Sequence, residues 1–204
     1  MNTNPKFTII VVGDAKVGKS TFIHRHNTGE FLKDHVATDA IVSTRLTFTT
    51  TSGPIDIIVR EVPIGIYNMP RCDGCIVMFD TCNKNSFLNV DYWINSVLNN
   101  NNIPIVICGN KVDIKDSKVF YRDVSRKFQL NTPNKVHTYY GISTRSGYKY
   151  DKPFLSLIRS LVGDNNLAFS DSMMIQDMPG YTDALGATYP VEISVLSSHI
   201  ISSN

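Results

Sequence analysis

FTIIVVGDAKVGKS, residues 7–20, runs from a continuous apolar segment through a glycine-containing loop to a Lys-Ser pair. The apolar part, 7–12, is typical of a β-strand that is covered on both faces. The remainder matches the pattern GxxxxGK[ST] at every fixed position, and 19–28 has the character of the helix that must follow it. The loop residues are Gly13, Asp14, Ala15, Lys16, Val17, Gly18, Lys19 and Ser20. This stretch therefore predicts a phosphate-binding loop between a strand and a helix.

The residue types in the loop suit a phosphate chain. Glycines let backbone N–H groups turn inward around phosphate oxygens, and the following helix directs the positive end of its dipole at the same anion. Lys19 can reach the β- and γ-phosphates, the Ser20 hydroxyl can ligate Mg²⁺, and Thr21 extends the nucleotide-binding set. The alternative is a glycine turn that matches by chance. The motif alone does not separate kinases, ATPases and GTPases.

Strands and helices alternate along the chain as far as residue 162. Apolar runs predict strands at 55–59, 75–79, 103–108 and 136–142, and mixed segments predict helices at 86–98, 117–130 and 151–162. β-Branched residues on both sides of a Gly-Pro turn predict an antiparallel hairpin that pairs 41–50 with 55–59. The predicted fold class is α/β, with a mainly parallel six-stranded sheet, one antiparallel edge strand and helices on both faces.

A second motif, NKVD at 110–113, directly follows a predicted strand, where open α/β sheets bind ligands. The Asp113 carboxylate can accept hydrogen bonds from guanine N1–H and from the exocyclic amine, whereas adenine would present an acceptor to it. Asn110 can tether the loop and reach N7 of the base, and the stem of Lys111 can lie along the base plane. The motif therefore favours guanine over adenine.

A third segment, Ser143-Thr144-Arg145, follows the next predicted strand. Its backbone N–H groups can donate to guanine O6. Either base-site segment alone is weak, because each can be an ordinary loop. Together, at the ends of two successive strands and downstream of a phosphate-binding loop, they predict a guanine nucleotide, GTP or GDP.

The cysteines give little sign of a metal site. Cys72 and Cys75 form a lone CxxC, and no second pair or histidine cluster completes a zinc site. Cys75 opens the apolar run CIVMFD, so we interpret it as a buried strand thiol. Unpaired thiols favour an intracellular compartment.

The net charge of +2 conceals an asymmetry. All 20 Lys and Arg residues lie at or before Arg159, whereas 164–204 carries five acidic residues and no basic one. We therefore expect an acidic C-terminal tail at 170–204, after a globular unit at 1–169. The tail either lies on the basic body or is solvated. Ile193, Leu196 and Ile200 recur at helical spacing and predict a short docking helix.

Targeting signals are not evident. The apolar stretch near the N-terminus is too short for a signal peptide, no run approaches the ~20 residues of a membrane span, and the chain ends Ile-Ser-Ser-Asn without a CaaX box. We expect no membrane anchor, no direct nucleic-acid binding and a monomer.

The chain resembles the Ran branch of the Ras-like small GTPases over about residues 7–169. Beyond the three motifs, the similarity lies in TGEF (28–31), VAT (36–38), GPI (53–55), MFD (78–80), NIPIVICGNKVDIKD (102–116), KPFL (152–155) and GDNNLAF (163–169). The resemblance implies a GTP-binding G domain. It also implies that Phe31 lies near the guanine or ribose, and that Thr38 in switch I completes the Mg²⁺ shell and senses the γ-phosphate.

Switch II departs from the family. The family has Trp-Asp-Thr-Ala-Gly-Gln followed by a helix, whereas this chain has REVPIGIY at 60–67 in a shorter segment. The resemblance implies that Glu61 holds Mg²⁺ through water and that Gly65 donates its N–H to the γ-phosphate, with a shift of one residue. No glutamine occupies the water-orienting position, so we predict slow GTP hydrolysis and no switch II helix.

By resemblance, the chain is a switch in nucleocytoplasmic transport that binds nuclear-transport receptors or Ran-binding proteins and occupies nucleus and cytoplasm. The altered switch II also favours a hydrolysis-defective decoy or adaptor that competes for Ran effectors. A small-molecule kinase is a third reading, which leaves NKVD unexplained. Lys115, Lys118, Arg122 and Arg126 either form one basic face for an acidic receptor or belong to an ordinary solvated helix.

Overall fold

The computed structural model describes residues 4–32, 39–66, 68–98, 103–130 and 137–170, and the backbone of 173–182 and 188–195. The strands are β1 Lys6–Val12, β2 Val42–Thr50, β3 Gly53–Glu61, β4 Gly74–Asp80, β5 Ile105–Asn110, β6 Thr138–Gly141, β7 Met173–Thr182 and β8 Thr188–Val195. The helices are α1 Lys19–Thr28, α2 Lys84–Leu88, α3 Val90–Leu98, α4 Tyr121–Phe128 and α5 Lys152–Val162.

Six strands form one sheet in the order β2-β3-β1-β4-β5-β6. The pairs β1–β3, β1–β4, β4–β5 and β5–β6 are parallel, and only β2 runs antiparallel, against β3. Thr50 pairs with Gly53 across the hairpin turn. The predicted α/β class, with one antiparallel edge strand, is confirmed.

Side-chain alternation along the buried strands divides the core between the two faces of the sheet. In β1, Ile9 and Val11 belong to one buried cluster, whereas Ile10 and Val12 belong to the other. The first cluster takes Phe22 from α1 and several side chains of α5, and the second takes Trp93 and its neighbours on α3. Because both faces are covered by helices, the strands need apolar residues at consecutive positions.

The predicted helix at 86–98 is two helices. The first begins earlier, at Lys84, because the Asn83 side chain accepts a hydrogen bond from the Asn85 N–H and caps the N-terminus. A one-residue turn at Asn89 separates α2 from α3. The Asn89 side-chain amide donates to Asp14 Oδ2 at 2.8 Å, which links this turn to the glycine loop.

The helix predicted at 117–130 is shorter than expected, since α4 spans only Tyr121–Phe128. Backbone N–H groups of Lys118 and Val119 both donate to the Thr81 carbonyl, at 2.8 and 3.0 Å, so this stretch follows the end of β4. Gln129 adopts a left-handed conformation at φ 51° and ends the helix. The prediction of a four-residue basic helix face is therefore wrong, because Lys115 and Lys118 lie outside the helix.

The segment that follows α5 packs against the sheet as far as residue 170. Leu167 is fully buried, and the Phe169 ring stacks on Phe48 with centroids 5.0 Å apart. The Ser170 N–H donates to the Thr49 carbonyl at 2.9 Å. This segment thus closes the edge of the sheet beside the β2–β3 hairpin.

Beyond residue 170, β7 and β8 form a separate antiparallel pair. Strand β8 includes Ile193, for which the spacing predicted a helix, and Leu196 and Ile200 lie outside the described residues. Among the described helices, none has the length and apolar character that crossing a membrane requires.

Candidate nucleotide-binding cleft

A cleft of about 710 Å³ opens at the carboxyl ends of the parallel strands. The predicted site residues that line it are Ala15, Lys16, Gly18, Lys19, Ser20, Thr21, Phe31, Glu61, Asn110, Lys111, Asp113, Thr144 and Arg145. The sequence did not indicate five others, Leu32, Asp39, Pro63, Ile64 and Ile114. Five segments that are distant in the sequence thus meet at one sheet edge, as the parallel topology requires.

Five predicted site residues do not line the cleft, and one lies outside the described residues. Gly13, Asp14, Val17 and Ser143 are not among its lining residues. Gly65 is exposed in a turn beside it, although the cleft includes the neighbouring Pro63 and Ile64. Thr38 falls in 33–38, which the structure does not describe. The proposed roles of Gly65 and Thr38 at the γ-phosphate therefore remain predictions.

Two glycines of the loop lie too close to their neighbours for any side chain. A Cβ added at Gly13, where φ is 141°, would lie 2.1 Å from the Met78 carbonyl oxygen. A Cβ at Gly18, where φ is 101°, would lie 2.4 Å from Asn110 Nδ2. The loop therefore packs against β4 and β5 at backbone distance. This contact brings the Gly18 end of the loop against the NKVD motif.

Lys19 is buried at the start of α1. Its Nζ donates to the carbonyls of Gly13 and Asp14, at 2.8 and 3.0 Å, so the ammonium bridges the two ends of the loop. Burial lowers the pKa of Lys19, and the negative charges of Glu61 and Asp14 oppose that shift. A cation held in this position can neutralise a phosphate chain that lies along the loop.

The Ser20 hydroxyl and the Glu61 carboxylate meet beside this lysine. Ser20 Oγ donates to Glu61 Oε1 at 2.5 Å, and Glu61 is buried at the end of β3. Hydroxyl and carboxylate oxygens are ligands that Mg²⁺ prefers. Ser20 and Glu61 are therefore the residues that would hold a Mg²⁺ ion beside the phosphates. Among the described residues, no group of three or more His, Cys, Asp or Glu could hold a metal.

Asn110 joins three loops from a nearly inaccessible position. Its Nδ2 donates to the Val17 carbonyl at 2.9 Å, and its Oδ1 accepts from the Thr144 N–H and hydroxyl at 3.0 and 3.1 Å. The tethering that the sequence suggested is therefore present in the structure. Nδ2 carries a second hydrogen, which is the group available for a base nitrogen.

Lys111 crosses from the base-site loop to the phosphate loop. Its Nζ forms an ion pair with Asp80 Oδ2 at 2.7 Å and donates to the Lys16 carbonyl at 2.9 Å. Its backbone is left-handed, at φ 69°. These contacts hold the aliphatic stem along the cleft wall, where a base can lie against it.

Asp113 supplies the most informative atom of the cleft. Its Oδ1 is buried and has no hydrogen-bond partner. A buried carboxylate oxygen without a partner carries a desolvation penalty, which a ligand that donates a hydrogen bond to it would offset. The donor pair of guanine, N1–H and the exocyclic amine, would fit that oxygen.

The sequence did not indicate two contacts of Asp14 in the phosphate loop. Asp14 Oδ1 accepts from the indole N–H of Trp93 at 2.8 Å, and its Oδ2 accepts from Asn89. The Asp14 side chain therefore points towards α3 and positions the loop from behind. Its partners are 75 and 79 residues away, and no local pattern predicts pairs at that separation.

The segment that corresponds to switch II forms no helix in its described residues, 62–66 and 68–73. Val62 and Met69 are buried in the second core cluster, whereas Ile64 is 57% exposed at the cleft. The segment 60–73 contains no glutamine. The polar side chain that would orient an attacking water is therefore missing from the expected place.

Comparison with family models agrees with this geometry. The model of the Ras family matches residues 8–163, which include the phosphate loop, the NKVD motif and the Ser143–Arg145 loop. The match spans the six-stranded sheet and its five helices. The mainly parallel sheet and the loop between β1 and α1 are therefore parts of one known domain, and the chain belongs to the Ras family of small GTPases, which bind GTP and GDP.

Proposed function

We propose that this chain is a Ran-type guanine-nucleotide switch that binds GTP and GDP with Mg²⁺, hydrolyses GTP slowly, and acts in nucleocytoplasmic transport. The unpaired Asp113 oxygen in the cleft is the observation that carries the nucleotide assignment. Support for the Ran type comes from the phrases that flank the motifs, above all NIPIVICGNKVDIKD at 102–116. By the same resemblance, the partners are nuclear-transport receptors, and the protein occupies nucleus and cytoplasm.

Different residues of the cleft bind different parts of the nucleotide. Backbone N–H groups at the start of α1 and the Lys19 ammonium hold the phosphates, and Asp113 selects the base. Bound Mg²⁺ would add positive charge between the phosphates, held by Ser20, Glu61 and, in switch I, Thr38. Exposed Phe31 lies at the cleft mouth, where it can cover the ribose or base.

The base assignment is tested by Asp113→Asn. An amide offers N–H where guanine also presents N–H, so we expect GDP affinity to fall at least ~100-fold. Xanthine carries an oxygen in place of the guanine amine, and XDP should therefore bind the variant more tightly than GDP does. Calorimetry with nucleotide-stripped protein in magnesium buffer measures both affinities. Equal GDP affinity in variant and wild type would contradict the assignment.

Slow hydrolysis is tested by a single-turnover assay. Phosphoryl transfer depends on positioning and charge stabilisation, and this chain lacks the glutamine that orients water. We expect GTP bound to the protein to decay at least ~10-fold more slowly than on a small GTPase that retains this glutamine, measured in parallel. The nucleotide that co-purifies with the protein should accordingly be enriched in GTP. Rates equal to those of the reference GTPase would contradict the proposal.

A second candidate is a decoy or adaptor that hydrolyses little or nothing and occupies Ran effectors. The specific observation in its favour is the segment after β3, which contains no glutamine and forms no helix in its described residues. A switch must show different affinities for its effector with GTP and with GDP, because a ligand shifts an equilibrium only through differential contacts. Binding of a nuclear-transport receptor measured in both states separates the candidates, since a decoy should keep its affinity while its GTP persists undiminished.

A further inference from the structure

Arg25, on the last turn of α1, contacts the Ser143–Arg145 loop. It is only 7% exposed. One nitrogen, Nη1, donates to the carbonyls of both Thr144 and Arg145, at 2.5 and 2.7 Å. The guanidinium carbon stands 5.2 Å from the centroid of the Tyr150 ring. A buried cation thus donates hydrogen bonds to two consecutive backbone carbonyls of this loop. Thr144 and Arg145 line the same cleft as Asp113.

Most backbone N–H groups of this loop already have partners. Ser143 N–H donates to the Tyr148 carbonyl, and Thr144 N–H donates to Asn110 Oδ1. Ser146 N–H donates to Ser143 Oγ, and Gly147 N–H donates to the Ser143 carbonyl. Within the described residues, Arg145 N–H is the one donor of 143–147 without a partner. Arg145 also lines the cleft.

Planarity of the peptide unit connects this donor to Arg25. The Thr144 carbonyl and the Arg145 N–H belong to the same trans peptide, so they point in opposite directions. When Arg25 holds the carbonyl on the helix side, the N–H is directed to the other side of the loop, away from α1. The Asn110 contact with Thr144 fixes the preceding peptide and prevents the loop from rotating.

We propose that Arg25 is a specificity-determining positioning residue, which holds the Thr144–Arg145 peptide so that the Arg145 N–H receives the 6-oxo oxygen of guanine. The inference rests on the binding of guanine nucleotide in this cleft. Residues Lys19 and Arg25 are six positions apart on α1, about 9 Å along the helix axis. One helix therefore holds the phosphate end of the ligand site at its start and the base-recognition peptide at its other end.

The test compares three diphosphates on nucleotide-stripped full-length protein. GDP carries every guanine group, IDP lacks the exocyclic amine that Asp113 recognises, and 6-thio-GDP replaces O6 by sulfur, a weak acceptor. The variants are Arg25→Met, which keeps length and apolar volume, and Arg25→Lys, which keeps a cation with one donor group. Arg159→Met is the matched control, because Arg159 Nε also donates to a backbone carbonyl, that of Leu167 at 2.7 Å, away from the cleft.

In the wild type, GDP should bind roughly tenfold more tightly than 6-thio-GDP, the effect of weakening one buried hydrogen bond. In Arg25→Met this ratio should fall towards one, while the ratio of GDP to IDP keeps its wild-type value. Arg25→Lys should give an intermediate ratio of GDP to 6-thio-GDP affinity. If Arg25→Met does not fold, the ratio measured with Arg25→Lys provides the test instead. Arg159→Met should change neither ratio.

An unchanged ratio of GDP to 6-thio-GDP in the Arg25 variants would overturn the role of Arg25. An equal fall in both ratios would also overturn it, because it would indicate a general loosening of the cleft. Failure of the wild type to take up GDP is a different outcome. It would overturn the guanine assignment itself, and with it this proposal.

Discussion

Gly18 lines the cleft at a position that leaves no room for a side chain. Its Cα faces the side chain of Asn110, whose amide also secures Val17 and Thr144. A methyl group there would displace this amide and with it both loops. Gly53 offers a comparison at the same φ, 101°, with nothing within 4 Å of an added Cβ.

We predict that Gly18→Ala lowers the free energy of unfolding by about 3 kcal/mol or more, because backbone strain and steric overlap add. Gly53→Ala should lower it by only about 1–2 kcal/mol, the contribution of strain alone. Urea denaturation measures both values. GDP affinity should be lost in Gly18→Ala and kept in Gly53→Ala. Equal destabilisation in the two variants would argue against steric overlap at Asn110.

At this scale, the sequence predicts residues whose chemistry is local and misses those that act across the chain. Lys19 and Asp113 belong to short patterns with a fixed partner, the phosphate or the base. Arg25 bonds to a carbonyl 119 positions away, and Asp14 bonds to Trp93 79 positions away. Neither contact leaves a periodic signal, since the pairing depends on how the strands are ordered in the sheet.

Helix α1 contains a histidine that the fold keeps neutral. His26 is buried among aromatic rings, with ring centroids 4.5 Å from Phe22, 4.6 Å from Tyr150 and 4.7 Å from Phe154. Its Nδ1 lies 2.9 Å from the Phe22 carbonyl. Burial, with a smaller contribution from the Arg25 charge, lowers the pKa of His26 to about 4. The folded chain therefore takes up a proton here only in strong acid.

This histidine predicts a pH dependence of stability. Between pH about 6.5 and about 4 the unfolded chain binds a proton at His26 and the folded chain does not, so stability falls as the pH falls. The slope from this group approaches about 1.4 kcal/mol per pH unit. His26→Phe should flatten the profile by that amount in urea unfolding. His137, whose pKa burial also lowers, acts in the same direction in both proteins, so the difference isolates His26.

Whole elements follow the sequence more closely than their boundaries do. Every sheet strand expected from an apolar run is present, because burial on both faces requires such runs. Helix α4 begins four residues after its predicted start. The backbone N–H groups of residues 118–119 donate to the Thr81 carbonyl and therefore take no part in a helix. This late start arises from tertiary hydrogen bonds, to which helical periodicity is insensitive.

On the scale of the molecule, the described packing against the six-stranded sheet continues to residue 170. Leu167 is fully buried, its carbonyl accepts from Arg159, and Phe169 stacks on Phe48. We predict that a chain of residues 1–170 unfolds within about 0.5 kcal/mol of the full chain. A chain of residues 1–163 should lose about 3–6 kcal/mol, because two large apolar side chains leave the core. Urea denaturation of both truncations tests the boundary. A large loss in 1–170 would show that the residues after 170 also support the fold.

Trp93 is the single tryptophan of the chain, and its indole donates to the carboxylate of Asp14 in the phosphate loop. The ring is 3% exposed, so solvent contributes little to its emission. A rearrangement of the loop that moves Asp14 would change the charge beside the indole, and we expect the emission spectrum to shift with it. The protein thus contains an intrinsic optical reporter of its phosphate loop, which would allow ligand exchange to be followed on unlabelled material in real time.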